Sequence, residues 1–455
     1  PPYCSPPCST HLKQRRTNLG KTQRKCDSIM SNGRLNLLTP LIIAPLAFDY
    51  RGAEMGGGLV QFATSAICVL SIMIFLLGRN RIFVSLRVPY NITAVAGLLY
   101  LIGVSLANVV PFFQFSRVIF PVGLFVAGIL VGWCFCREGR WRELAMWILI
   151  AGFISSGVRF ATGFQTTGKT LEEIRYQILS PALPLLIAVV VYCALLLRKF
   201  SWWVLTLIPV VIVPSFFSVT RSLLLNWMFV CAAAVGIILV IPKNRVRSVM
   251  RFVGGVCLLS VVAGGCMAVV LMLNPAIGER WINRLLYQKT VTGTDATYLA
   301  RVAELNGKLE ALGSDPIKWI SGVGVGATYY WDATYSTELV RYVSAAPFVA
   351  GSFFAGHSVW TFALHSGGLL GLAWMIWMWA CPVVTFWKTR YDADTREMMD
   401  VGLLILVSYV SKTFTANPYS DRFAGLLIGL VFGGMISALA VRRSTKGTPR
   451  PAIAA

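Results

Sequence analysis

The chain has 455 residues, of which 56% are hydrophobic and only 13% charged, with 41 Lys and Arg against 19 Asp and Glu. A soluble domain carries about a quarter of its residues as charges, so this balance makes lipid the solvent for most of the chain. The +22 excess lies in short basic clusters between apolar runs, where it orients helices and meets anionic lipid. No basic face with interleaved aromatics stands outside those clusters, which argues against nucleic acid as a partner.

Residues 1–29 are polar, basic and unpatterned, and read as a disordered tail or a start-site artefact ahead of Met30. From there, apolar runs near the length that crosses about 30 Å of hydrocarbon recur along the chain. They cover 35–48 (the weakest, with Pro40 and Pro45), 59–77, 92–110, 118–136, 144–160, 178–197, 202–219, 223–241, 252–273, 367–387, 398–414 and 423–441. The expected fold is therefore all-α and polytopic, with about twelve transmembrane helices and a large, partly helical loop. Residues 30–273 hold membrane helices one to nine, 274–356 the loop, 357–441 the last three helices and 442–455 a tail.

Charge asymmetry orients these spans. Alternate short loops hold fifteen basic residues, from Arg79, Arg81 and Arg87 through Lys243, Arg245, Arg247 and Arg251 to Lys388, Arg390 and Arg396. The loops of opposite phase hold eight: Arg51, Arg117, Arg159, Lys169, Arg175, Arg221, Lys412 and Arg422. The richer set is read as cytoplasmic, and both termini with it, which makes 274–356 a periplasmic loop of an inner-membrane protein.

Of eleven cysteines, Cys4, Cys8 and Cys26 fall in the tail and the other eight lie in or beside apolar spans. Neither a disulfide framework nor metal-ligand spacing is visible, so no metal is expected and the membrane cysteines read as small core hydrophobes. The loop has 83 residues with seven basic and seven acidic side chains, so it is wettable. Within it, 295–313 has the period of an amphipathic helix, with Leu299, Val302, Leu309 and Leu312 on its apolar face. Thr294, Asp295 or Thr297 can cap its start and Gly313 its end. A Ser314-Asp315-Pro316 turn follows, then Gly322-Val323-Gly324-Val325-Gly326.

Four features can carry chemistry: Arg221 at the entry of a span, Arg301 on the loop helix, the turn of Gly322, Gly324 and Gly326, and His357-Ser358 at the end of the loop. His357-Ser358, nine residues, then Gly368-x-x-Gly371-Leu372 resembles the motif of the O-antigen ligase and O-antigen polymerase family, whose relatives include bacterial protein O-oligosaccharyltransferases. The twelve-span layout, the late loop, the Arg221-Ser222 helix entry and the glycine turn are similar as well. The resemblance implies glycan transfer from an undecaprenyl-diphosphate carrier at the periplasmic face, to lipid A-core, another glycan or a protein, without cofactor. It gives Arg221 and Arg301 the donor diphosphate and the charge that grows as it leaves, and His357 the proton of the attacking hydroxyl. The glycines and Ser358 would contact substrate.

Blander readings stand beside these. His357 can be a capping or core histidine, Arg221 an interfacial anchor, Arg301 a solvated helix face, and the glycines a plain tight turn, since no strand–helix phosphate loop surrounds them. His365 reads as packing, and Glu172, Glu173 and Arg175 as solvated charge or substrate contacts. The alternative function is a flippase or transporter of lipid-linked glycan, although no internal repeat or midplane charge of the transporter kind is seen. Topology is open to direct test. A reporter fused after Trp387 should read cytoplasmic and one inside the loop periplasmic; the opposite outcome for either ends this orientation.

Overall fold

The computed structural model describes residues 38–48, 58–165, 178–196, 203–240, 245–283, 295–340, 345–389, 395–414 and 416–447. The expectations for 1–29 and for Glu172, Glu173 and Arg175 fall outside the described residues. Among the described residues all regular structure is helical, apart from one isolated antiparallel bridge between Tyr329 and Ser352.

A helix lies at every apolar run. In chain order these are α1 (Leu38–Ala47), α2 (Gly58–Leu77), a short α3 (Arg81–Ser85), α4 (Pro89–Ala107), α5 (Phe112–Arg137), α6 (Trp141–Gln165) and α7 (Leu183–Val191). Then come α8 (Trp203–Phe217), α9 (Arg221–Val240) and α10 (Arg245–Leu273). The loop contributes α11 (Ala276–Ile282), α12 (Ala296–Leu312) and α13 (Pro316–Ser321), and the chain closes with α14 (Val359–Thr389), α15 (Arg396–Thr413) and α16 (Ala424–Gly447). Among the described residues six helices, α4, α5, α6, α9, α10 and α14, are long and apolar enough to cross a membrane. The other runs make shorter or more charged helices. Prolines account for part of this: Pro209 and Pro214 interrupt the hydrogen-bond ladder of α8, and α7 passes into a π turn at Tyr192–Leu196.

α14 begins earlier than the apolar run at 367 predicts. The nine residues between the two halves of the histidine motif are its first turns, and the helix then breaks at Gly368, with φ 61° and ψ −157°. A side chain at that position would be strained by the positive φ and would meet the Ile320 carbonyl, so glycine permits the break.

α5 is the most enclosed of the six long helices and α10 the least. The enclosure comes from α16, which runs parallel to α5 in backbone contact. A Cβ on Gly425, Gly429 or Gly433 would lie 2.2, 2.1 or 2.0 Å from the carbonyl oxygens of Pro121, Phe125 and Ile129. The four-residue repeat on both helices is the small-residue seam by which helices associate in lipid, where apolar burial supplies no drive. Outward-facing Leu99, Leu106, Met228 and Met272 are exposed, as a lipid-facing surface requires. Gly429→Leu should therefore force α5 and α16 apart, lowering stability by about 1–3 kcal/mol or more. Gly123→Ala, on α5 and with nothing within 4 Å of its Cβ position, should change little. Thermal unfolding in detergent separates the two, and equal melting temperatures would refute the seam.

Candidate functional site

The loop helix α12 starts as its sequence predicts. Asp295 is the cap, its Oδ1 accepting from the Thr297 and Tyr298 amides at 2.8 and 3.1 Å, and Gly313 ends the helix at φ 60°. Its buried face is not the predicted one. Leu299, Val302 and Leu309 are only half-buried, and of the predicted set Leu312 alone is buried. The buried stripe runs instead through Ala296, Ala300, Ala303, Glu304, Gly307, Lys308 and Leu312. Small residues win because the chain returning over α12 comes to backbone contact: a Cβ on Gly307 would lie 1.7 Å from the Tyr330 carbonyl oxygen.

That stripe buries a charge pair. Glu304 and Lys308, one turn apart, are 3% and 2% exposed, and Lys308 Nζ donates to Glu304 Oε1 at 2.6 Å. Lys308 also reaches the Ala355 carbonyl and the Thr361 hydroxyl, and lies 4.9 Å over the Tyr329 ring. The segment before α14 wraps the same carboxylate. Gly356, at φ 78°, brings its Cα so close that a Cβ would meet Glu304 Oε1. The His357 amide then donates to both carboxylate oxygens at 3.1 and 3.2 Å, and His357 Nδ1 lies 2.5 Å from Oε2.

Burial by itself pushes the Glu304 carboxyl up. The Lys308 charge and the His357 hydrogen bond outweigh it and hold Glu304 well below the usual carboxylate range. Burial lowers Lys308, against the pull of Glu304. An ionised carboxylate can only accept, so the proton on the shared bond belongs to His357 Nδ1. In the neutral ring Nε2 is then the basic nitrogen. The His357 side chain is 46% exposed and edge-on to Trp331 at 6.0 Å between ring centroids. The result is a solvent-facing base with its tautomer set by a buried acid.

The remaining predicted residues are distributed around this centre. Arg221, first residue of α9, donates from Nη1 to Asp295 Oδ2 at 2.7 Å, so one carboxylate both caps α12 and ties it to α9. Burial pushes Asp295 up, but Arg221 and the two capping amides hold it below its ordinary value. On the same stripe of α9 as Arg221, Leu224, Trp227 and Cys231 line a groove of about 250 Å³ with Ile212 and Phe216 of α8 and Val256 of α10. Arg301 is half-buried on α12, three residues before Glu304. Ser358 is half-buried, and its carbonyl accepts from the Phe362 amide in the first turn of α14.

The glycine turn has another task. The Gly322, Val323 and Gly324 amides bond to the carbonyls of Lys318, His365 and Ser366, and the Val325 amide to Ser105 Oγ at 2.8 Å. With φ of 80°, 95° and 85°, Gly322, Gly324 and Gly326 bring this backbone against α14, α4 and α5. These amides face the fold, so the turn docks the loop on the helices. His365 is 3% exposed and edge-on to Tyr329 at 5.1 Å, a packing position. Among the described residues no three His, Cys, Asp or Glu side chains converge as metal ligands do.

Glu304, Lys308 and Tyr329 are absent from the sequence-derived site. Their trace was an acid and a base one turn apart on a helix of mixed polarity, which also describes a solvated pair. Comparison with protein-family models finds no matching family, and comparison with curated proteins finds no matching relative.

Removing one member of a buried ion pair strands the other and costs about 3–5 kcal/mol, whereas replacing both with apolar residues costs far less. Glu304→Met and Lys308→Met should each loosen the loop more than the double variant does, read as the rate of limited proteolysis within the loop. Additive effects would show that the pair is not coupled. Because the folded Glu304 is lowered, its stabilisation is complete above the ordinary glutamate value of about 4.3 and is lost as pH falls through the folded one. Loop proteolysis by an acid-tolerant protease should accelerate only below about pH 4.3.

Proposed function

We propose that the chain is a glycosyltransferase of the bacterial inner membrane, with twelve crossings, cytoplasmic termini and a periplasmic loop. It transfers a glycan from an undecaprenyl-diphosphate carrier to an acceptor hydroxyl at the periplasmic face. The observation that carries the reading is the His357–Glu304 contact, which leaves a basic, solvent-facing nitrogen beside the membrane-spanning helices.

In this reading His357 Nε2 takes the acceptor hydroxyl proton as its oxygen bonds to the anomeric carbon of the donor sugar. The bond from that carbon to the diphosphate oxygen breaks, and the diphosphate leaves with the electron pair. Glu304 stabilises the imidazolium so formed. The groove below Arg221 supports the donor assignment. An arginine at a helix N-terminus favours an anion, and the apolar groove on the same stripe of α9 suits a prenyl chain. In this reading Arg301, half-buried on α12, is the second arginine for the donor. Diphosphate is a good leaving group, and its departing charge is what these arginines would stabilise. Gly322, Gly324 and Gly326 serve this site by docking the loop; Ser358 stays at its edge.

Transfer from lipid-linked donor, measured in membranes and normalised to protein by blot, tests the reading. His357→Ala should slow it on the order of 10²–10⁴-fold with normal accumulation, since the side chain is half exposed. His365→Ala should act on protein level rather than on the rate per molecule. Near-normal transfer by His357→Ala would remove the catalytic role.

A further inference from the structure

A second pair of arginines, Arg117 on α5 and Arg422 in the turn before α16, lies at the segment that leads to His357. The parallel seam sets their positions. Gly425 touches Pro121, so Arg117, one turn before Pro121, and Arg422, three residues before Gly425, come out at the same end of α5 and α16. Arg422 is close enough for its charge to act on Arg117. The Arg117 guanidinium lies 4.8 Å over the Phe354 ring, three residues before His357. The Phe354-bearing segment is itself held from both sides, because the Ala355 carbonyl accepts from Lys308 and from Asn417, which precedes α16.

Two like charges held together repel, and in most folds a carboxylate lies between them. Among the described residues neither Arg117 nor Arg422 is ion-paired, while the nearby Asp421 is buried and faces Lys412 at 3.9 Å. Arg117 is exposed and Arg422 half-buried, so both remain open to a ligand. Guanidinium groups match phosphate in bidentate geometry, and the aromatic ring under Arg117 fixes the plane of one of them. An anion bridging the pair would relieve the repulsion. Its position at the helix ends favours a phosphate carried by a membrane-held molecule.

We infer that Arg117 and Arg422 form a phosphate-binding pair next to His357, separate from the Arg221 groove, for a phosphate-bearing lipid substrate. Its role in a two-substrate transfer rests on the proposed function; the binding itself does not. The test uses the full chain in phosphatidylcholine nanodiscs, titrated with a polyprenyl diphosphate and, separately, with a phosphorylated glycolipid. Arg117→Gln/Arg422→Gln should weaken binding of at least one ligand roughly tenfold or more at an unchanged melting temperature. Lys at both positions, which keeps the charges, should recover part of the loss.

Loss confined to the polyprenyl diphosphate marks a donor site, and loss confined to the glycolipid an acceptor site. Loss of both marks a general phosphate clamp. Unchanged binding of both ligands, or no binding of either by the unmodified chain, overturns the inference. If binding depends on the pair but transfer is never detected, the pair stands and the glycosyltransferase reading falls. If transfer proceeds and the double variant binds and transfers normally, the reading stands and the pair falls.

Discussion

The Glu304 carboxylate is the point on which the loop, and through it the site, depends. A charge taken out of water is tolerable only if an opposite charge and a full set of hydrogen bonds meet it. Here Lys308 supplies the charge from one turn along α12, and the His357 amide and ring supply the hydrogen bonds from the start of α14. The loop helix and the membrane helix are thus tied through one functional group. Any movement of α14 away from α12 would strip this ion pair of the His357 amide and ring, the Ala355 carbonyl and the Thr361 hydroxyl. The same contact orients His357 and decides which of its nitrogens is free, so stability of the loop and reactivity of the ring come from a single constraint.

Glycines make that constraint geometrically possible. Gly356 lets the chain wrap the carboxylate, Gly307 lets the Tyr330 segment lie on α12, and Gly368 breaks α14 so that its backbone can receive the glycine turn. Tyr100 adds a cross-tie, its hydroxyl donating to the carbonyls of Ser321 and Gly367 at 3.2 and 3.0 Å. The resemblance would set the turn against substrate and the blander reading makes it a plain tight turn; its amides are directed to the carbonyls of α14 and to Ser105 of α4. Backbone-to-backbone docking of this kind leaves the loop little freedom relative to the helices below it. A reacting group carried on such a loop can be placed to within a fraction of an ångström.

The arginines divide by how they are partnered. Arg221 is joined to Asp295 and so serves the start of α12 whatever else it binds. Arg117 and Arg422 stand together at the end of the α5–α16 seam with an aromatic ring beneath one of them. The loop phase that carries them is poor in basic residues overall, yet two of its eight, Arg117 and Arg422, stand together at the segment that leads to His357.

By itself the sequence determined the class of structure and the places of its parts. Apolar length and sparse charge specify helices, because lipid leaves a backbone no other way to satisfy its polar groups within one segment. Capping chemistry marked both ends of the loop helix, with Asp295 one of three candidate caps and Gly313 the stop, and the spacing around His357 drew attention to the ring that Glu304 holds. What it left undecided was which face of α12 is inside. Periodicity favoured Leu299, Val302 and Leu309, but burial followed the approach of a distant strand of chain, which needs glycine and alanine. Whether Glu304 and Lys308 are solvated or buried depends in the same way on residues some 50 positions later (Ala355, His357 and Thr361). Side-chain chemistry is local and can be read along the chain; desolvation is set by whatever the tertiary fold brings against it.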